Sequence, residues 1–261
     1  MSDDGRSADL TTQARALAYA PASASHSGRI VLVTGAGDGI GQALALALAR
    51  QGATVGLLGR TQRKLVRTYD RIVDAGGPTP ALLPFDLETA TAAEYDAVHD
   101  ALDGEFGRLD GLAHVAGILG DLSPVEQYDV PTWCKVLHVN LTAPFVLTRT
   151  LLPLLKRSAD ASIVFTSSNI ARGGRAFWGA YAASKFGTEG LMQVLAAEMA
   201  GSARIRVNSV NPGRVRTAMR RQAFPAEDPN QHVEPSAVVG PYLYLLGPAG
   251  QGVNGQAIDR P

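Results

Sequence analysis

The chain has 261 residues, 46% hydrophobic and 18% charged: enough apolar surface for a large core, and too much for a disordered chain. Its 24 basic and 24 acidic side chains cancel, which removes any global electrostatic case for nucleic acid or an anionic membrane as partner. The single cysteine, Cys134, excludes an internal disulfide and a cysteine-based metal cluster, and is read as a small apolar filler on a helix.

Residues 1–28, rich in Ala and Ser, read as a flexible extension outside the main domain, with a short helix around Thr11 to Tyr19. Their acidic, polar start lacks the basic-then-apolar order of a secretory signal. No run in the chain approaches the ~18 apolar residues of a membrane span. The expected compartment is the cytoplasm. A single domain is expected over 29–261.

Within it, "RIVLVTG" (29–35) reads as a buried strand and "GIGQALALALARQG" (39–52) as a helix with Gly52 at its end. "ATVGLLG" (53–59) is a second strand. "TQRKLVRTYDRIVDAGG" (61–77) is a second helix with Thr61 as N-cap. Strands are expected near 81–86, 110–115, 162–167 and 204–210, with a last one around 256–258. Helices are expected near 90–106, 131–157, 179–200 and 235–246. This alternation predicts an α/β fold, a doubly wound Rossmann-type parallel sheet of about seven strands with helices on both faces.

Between the first strand and first helix lies "TGAGDGIG", with glycines at 35, 37, 39 and 41. Glycine allows a sharp turn and close backbone approach to a ligand, and the helix start offers free N–H groups. That context suits a dinucleotide pyrophosphate. The second strand ends at Arg60 with no carboxylate, and Arg63 and Lys64 follow, which favours the 2′-phosphate of NADP(H) over NAD. Asp38 argues the other way, since its charge opposes a nearby phosphate.

"GAYAASKFG" (179–187) places Tyr181 and Lys185 at i and i+4, on one helix face. A free tyrosine titrates near 10, about 3 units or roughly 4 kcal/mol from easy proton exchange at neutrality. A cation ~4 Å away contributes about 4 kcal/mol at an effective dielectric near 20, so Lys185 is expected to lower the phenol's pKa.

With these residues in hand, the chain resembles the short-chain dehydrogenase/reductase family from about Arg29 to Asp259. The family's Thr-Gly-x3-Gly-x-Gly is matched by Thr34, Gly35, Gly39 and Gly41, and its Tyr-x3-Lys by Tyr181 and Lys185. Its serine thirteen positions earlier is matched by Ser168, with Ser167 as the adjacent rival. Its helical asparagine is matched by Asn140 in "HVNLT". "NPGRVRT" supplies Pro212, Gly213, Val215 and Thr217, and "FDL" supplies Asp86 and Leu87 where the family meets adenine. "VFTSS", "WGAYAASKF" and "AFPAEDP" look most like the family's YciK-type bacterial oxidoreductases.

The resemblance implies an NADP-dependent oxidoreductase, NAD being possible, that moves hydride between nicotinamide and a substrate carbonyl or alcohol. It implies Tyr181 as general acid/base, Lys185 as its tuning cation and ribose contact, and Ser168 as a donor to the substrate oxygen. Asn140 would hold a water, and Thr217 and Val215 would hold the carboxamide. The cofactor set is Gly35, Asp38, Gly39, Ile40, Gly41, Arg60, Asp86, Leu87, Ala116, Gly117, Tyr181, Lys185, Pro212, Gly213, Val215 and Thr217, with no metal. One departure stands out: His114-Val115-Ala116-Gly117 replaces the family's Asn-Asn-Ala-Gly, which puts stabilisation of that strand end in question, and His114 reads as packed.

The substrate pocket is expected from loops 118–128, 169–179 and 214–233. Phe177 and Trp178 read either as its apolar wall or as packing. Arg172, Arg175, Arg220 and Arg221 read as solvated charges or as contacts to an acidic carrier or phosphorylated substrate. A small-molecule carbonyl or alcohol, free or carrier-linked, is the expected substrate. A homodimer or homotetramer is implied by the family. The rival function is a redox sensor that binds NADP(H) without turnover.

Overall fold

The computed structural model describes residues 9–201 and 204–260. Seven parallel strands form one sheet in the order β3-β2-β1-β4-β5-β6-β7. They are β1 (Ile30–Thr34), β2 (Thr54–Gly59), β3 (Ala81–Pro84), β4 (Gly111–His114), β5 (Ala161–Thr166), β6 (Ile205–Asn211) and β7 (Ala257–Asp259). The order reverses between β1 and β4, and a crevice opens there beyond the carboxyl ends of the strands. β1, β4 and β6 are buried along their whole length. β1 accordingly reads as a continuous apolar run, whereas β6 buries Arg206, Asn208, Ser209 and Asn211 among its apolar residues.

One apolar layer packs α2 (Gly39–Arg50), α3 (Gln62–Asp74) and α9 (Gly240–Leu246) on one face of the sheet. The other packs α4 (Ala92–Phe106), α6 (Ala143–Lys156) and α7 (Gly179–Met199) on the opposite face. Local chemistry sets the helix ends. Asp38 caps α2 by accepting from Gly39 N, and Thr91 with Glu94 forms a reciprocal capping box on α4. Thr61 is the N-cap of α3 but makes no side-chain cap bond.

Four expectations are corrected. The helix expected over 131–157 is α5 (Val130–Leu137), a π turn over His138–Thr142, and then α6. That turn, with one residue more than an α-helical one, holds Asn140 buried, and π turns recur at functional sites. The final helix begins as a 3-10 turn, Pro235–Val238, before α9, and a further short helix, α8 (Ala218–Ala223), stands over the crevice. Cys134 is exposed on α5 rather than a filler.

The fourth concerns the expected free extension. Residues 1–8 lie outside the described residues, but 9–28 lie against the domain. α1 (Leu10–Leu17) buries Ala16, and Tyr19 packs edge-on to Tyr244 with ring centres 5.5 Å apart. His26 is fully buried, with Nε2 3.0 Å from Leu243 O. Asp259 N donates to Gln13 Oε1 at 3.3 Å, so α1 also touches the end of β7.

Candidate active site

The glycine turn after β1 is shaped by what a Cβ would meet. Gly35 has φ 70°, in the left-handed region. A Cβ on Gly41 would lie 2.2 Å from Gly35 O, so α2 starts directly against the turn. Beyond Asp38's bond to Gly39 N, the first-turn N–H groups of Ile40 and Gly41 have no acceptor among the described residues. Both residues line a crevice of about 1520 Å³. Open donors at a helix N-terminus are the chemistry a pyrophosphate requires.

Arg60 lies exposed at the end of β2 and lines the same crevice, with no carboxylate partner among the described residues. Lys64 Nζ sits 2.5 Å from Asp38 Oδ2, and this hydrogen bond is the main reason Asp38 titrates below the usual carboxylate range. The objection that Asp38 would repel a phosphate is thereby met by its own lysine. Asp86, Leu87, Ala116, Gly117, Pro212, Gly213, Val215 and Thr217 all line the crevice. Thr217 also caps α8.

The backbone after β4 is tied down by Thr34, the first residue of the glycine motif. Thr34 Oγ1 accepts from both Val115 N and Ala116 N, each at 3.0 Å, and ties the end of β4 to β1. His114 is packed: its ring stacks on Phe165 at 4.8 Å and its Nε2 meets the Thr148 hydroxyl at 2.8 Å. Burial, then the charge of Lys185, holds it neutral by lowering its pKa to about 3.

Ser168, Tyr181 and Lys185 come together at the other end of the crevice. The Ser168 hydroxyl lies near enough to the Tyr181 phenol to draw its pKa down, while it donates to Asn169 Oδ1 at 3.3 Å and accepts from Ile170 N at 3.4 Å. Ser167 is instead buried, with its hydroxyl unpartnered, so Ser168 is the serine that faces the phenol. Lys185 Nζ lies 5.6 Å from the centre of the Tyr181 ring and donates to Thr166 O at 2.8 Å. Both side chains are nearly covered, at 8% and 5% exposure.

That burial corrects one expectation. It pushes the phenol up to about 12, against the opposing effect of Ser168, while Lys185 falls to about 8. Desolvation, not the lysine's charge, dominates the phenol here. Asn140 ties the site together. Its Oδ1 accepts from Ile118 N at 2.8 Å, and its Nδ2 donates to Ile118 O at 2.9 Å and Ser184 Oγ at 3.1 Å. Its side chain positions the loop after β4 against α7.

Glu189 was not singled out from sequence. It stands four residues after Lys185 on the same face of α7, so Tyr-x3-Lys-x3-Glu was the available signal. Buried, it accepts from Ser209 Oγ at 2.9 and 3.1 Å and meets Arg172 Nη1 at 3.1 Å. Arg172 also pairs with Asp259, which accepts from Asn211 Nδ2. The loop after Ser168 is thus tied to α7, β6 and β7. Glu189's charge raises the Lys185 pKa against burial.

A family model described as short chain dehydrogenase matches residues 29–228. The chain belongs to the short-chain dehydrogenase family. This dehydrogenase is 46% identical over 211 residues, 81% of its length and 83% of the relative's, to the uncharacterized oxidoreductase YciK of Escherichia coli K12. A short chain dehydrogenase structure from Pseudomonas syringae superposes with a TM-score of 0.91 at 51% identity, covering 92% of this chain and 98% of that one. Another, from Escherichia coli CFT073 and complexed with NADPH, gives 0.89 at 46% identity, covering 92% and 99%. The dehydrogenase is accordingly an oxidoreductase by family, and no helix among its described residues is long and apolar enough to cross a membrane.

Proposed function

We propose that this chain is an NADP(H)-dependent oxidoreductase that interconverts a small-molecule carbonyl and its alcohol, with Tyr181 as the proton-transferring group. The observation that carries the reading is the gathering of Ser168, Tyr181 and buried Lys185 at one end of a crevice whose other end is the open glycine turn.

The glycine turn with Ile40 N and Gly41 N would hold the pyrophosphate, and Arg60 the 2′-phosphate. Asp86 and Leu87 would flank adenine, and Lys185 would hold the nicotinamide ribose. Ala116, Gly117, Pro212, Gly213, Val215 and Thr217 would border the nicotinamide. When bound, NADPH supplies the hydride, or NADP⁺ takes it up. The NADPH complex of a 46%-identical relative supports the choice of NADP.

Ser168 donates a hydrogen bond that orients the substrate oxygen. Tyr181 gives that oxygen its proton in reduction and takes it back in oxidation. A phenol near 12 keeps its proton at neutral pH, as the donor role needs. The reverse role needs added positive charge, and Lys185, one turn away and mostly protonated below about 8, is placed to supply it. Exposed Phe145 on α6 and Phe186 and Val194 on α7 support pairing of those helices with a second copy.

The test is NADPH oxidation across a panel of ketones and aldehydes. Turnover of at least one, faster with NADPH than NADH, is expected. Tight NADPH binding with no turnover of any carbonyl would replace this reading with the sensor.

A further inference from the structure

Beside Tyr181, the mouth of the crevice carries a positive charge that no carboxylate among the described residues answers. Arg175 lies on the loop between Ser168 and α7. Its guanidinium stands 5.7 Å from the centre of the Trp178 ring and 5.5 Å from that of Phe224. Trp178 in turn lies 5.8 Å from the Tyr181 ring. The turn that holds Arg175 there is closed by Trp178 N donating to Arg175 O, and it contains Phe177 with φ 73°. A left-handed phenylalanine is a strained residue, held only where its surroundings fix it, and such residues cluster at functional sites. Here Ser123 N donates to Phe177 O and pins the turn from across the crevice mouth.

Two neighbouring cations, Arg172 and Arg220, are already answered. Arg172 pairs with Glu189 and Asp259. Arg220 stacks 3.9 Å from the centre of Phe224 and makes two bonds to Glu227, which His232 also contacts at 2.8 Å. Phe224 therefore has two guanidiniums against it, and Glu227 is the carboxylate of one alone. Arg175 has no carboxylate within 4 Å among the described residues, and none of its N–H groups finds an acceptor there. Stacking uses the face of a guanidinium and leaves the donors on its edge free, in the geometry that grips a carboxylate or phosphate.

We infer that Arg175 recognises an anionic group on the substrate, so that the preferred substrates are carbonyl compounds with a carboxylate or phosphate several bonds from the reacting carbon. This deepens the proposed function and rests on its placing of the reacting carbonyl at Tyr181 and Ser168. Trp178 stands 5.8 Å from the Tyr181 ring and 5.7 Å from the Arg175 guanidinium, so its ring would line the stretch between the reacting carbonyl and the anion.

The test compares matched pairs: 7-oxooctanoate with its methyl ester, and 6-oxoheptyl phosphate with 6-oxoheptanol. With NADPH, the wild-type chain is expected to show kcat/KM at least tenfold higher for the anion of one or both pairs. The pair that responds separates carboxylate from phosphate. Arg175→Gln should lower that anion-to-neutral ratio at least tenfold, and Arg175→Lys, which keeps the charge but not the fork, should retain part of it. Equal wild-type rates within both pairs overturn the inference. So does an Arg175→Gln variant that slows anion and neutral partner alike, since that marks a lid clamp.

Calorimetric binding of the same four compounds to the NADP⁺-saturated protein separates the two levels of the argument. Tighter binding of an anion that is lost in Arg175→Gln, without turnover of any compound, sinks the proposed reaction and keeps the anion subsite. Turnover with no anion preference in rate or binding does the reverse.

Discussion

Replacing Glu189 with Gln removes one charge from the network behind the catalytic helix and changes almost nothing in shape. The amide can still accept from Ser209 and from Arg172, but the pairing with Arg172 loses its ionic part. Removing one member of a fully buried ion pair costs about 3–5 kcal/mol. Arg172 retains Asp259 and is 27% exposed, so the smaller range for a hydrogen bond to a charged group, about 1.5–3 kcal/mol, applies. At roughly 2–4 °C per kcal/mol for a chain of this size, an expected loss of about 2 kcal/mol lowers Tm by about 4–8 °C.

Part of this loss depends on pH. Lys185 titrates near 8 in the folded protein against an ordinary value of 10.5, so the unfolded chain holds the extra proton between those values and stability rises with pH across that window. Without Glu189 the folded value falls further. The deficit of the variant is therefore largest at pH 7 and shrinks at pH 9, where Lys185 has lost its proton in both. The alkaline limb of turnover shifts to lower pH for the same reason. Thermal unfolding at the two pH values, with a pH–rate profile, checks both. An unchanged Tm together with an unmoved alkaline limb would refute the argument.

Gly41→Ala forces a methyl group to within 2.2 Å of Gly35 O. We expect a Tm drop of several degrees and at least tenfold weaker NADPH binding by calorimetry, because the turn must open to admit the side chain. His114 is held neutral with a pKa lowered to about 3, so the unfolded chain takes up its proton first as pH falls below 6.5. Its contribution of about 2.5 kcal/mol should be lost by pH 4.5, and urea unfolding should show a flatter acid dependence in His114→Asn. Arg60→Ala should weaken NADPH binding at least tenfold and leave NADH binding within twofold.

Much of this was legible in the sequence because two periodicities carry it. Fully buried parallel strands appear as unbroken apolar runs such as "RIVLV", and the helices between them carry a stripe, so the sheet and the crevice could be placed beforehand. The glycine turn and the Tyr181–Lys185 pair were equally visible, since each rests on close spacing. What escaped depends on contacts between distant segments. "PASASHSG" has the composition of a linker, yet His26 inside it fits beneath α9, and nothing local signals that. The π turn at Asn140 has no signature in apolar spacing. The bonds from Val115 N and Ala116 N to Thr34 join two strands far apart in sequence. Glu189 lay at a readable spacing, but its weight comes from Arg172 and Ser209, both brought to it by the fold. The tyrosine's pKa went the wrong way because desolvation depends on what covers a group, and sequence neighbours do not say.

The central claim is that the Tyr181 hydroxyl carries the proton to and from the substrate. Tyr181→Phe removes that oxygen alone and keeps the ring that packs against Trp178. Turnover of the best carbonyl found should fall at least a thousandfold while NADPH binding, read by calorimetry, stays within about threefold of wild type. A variant that still reduces the carbonyl at a tenth of the wild-type rate would contradict the account.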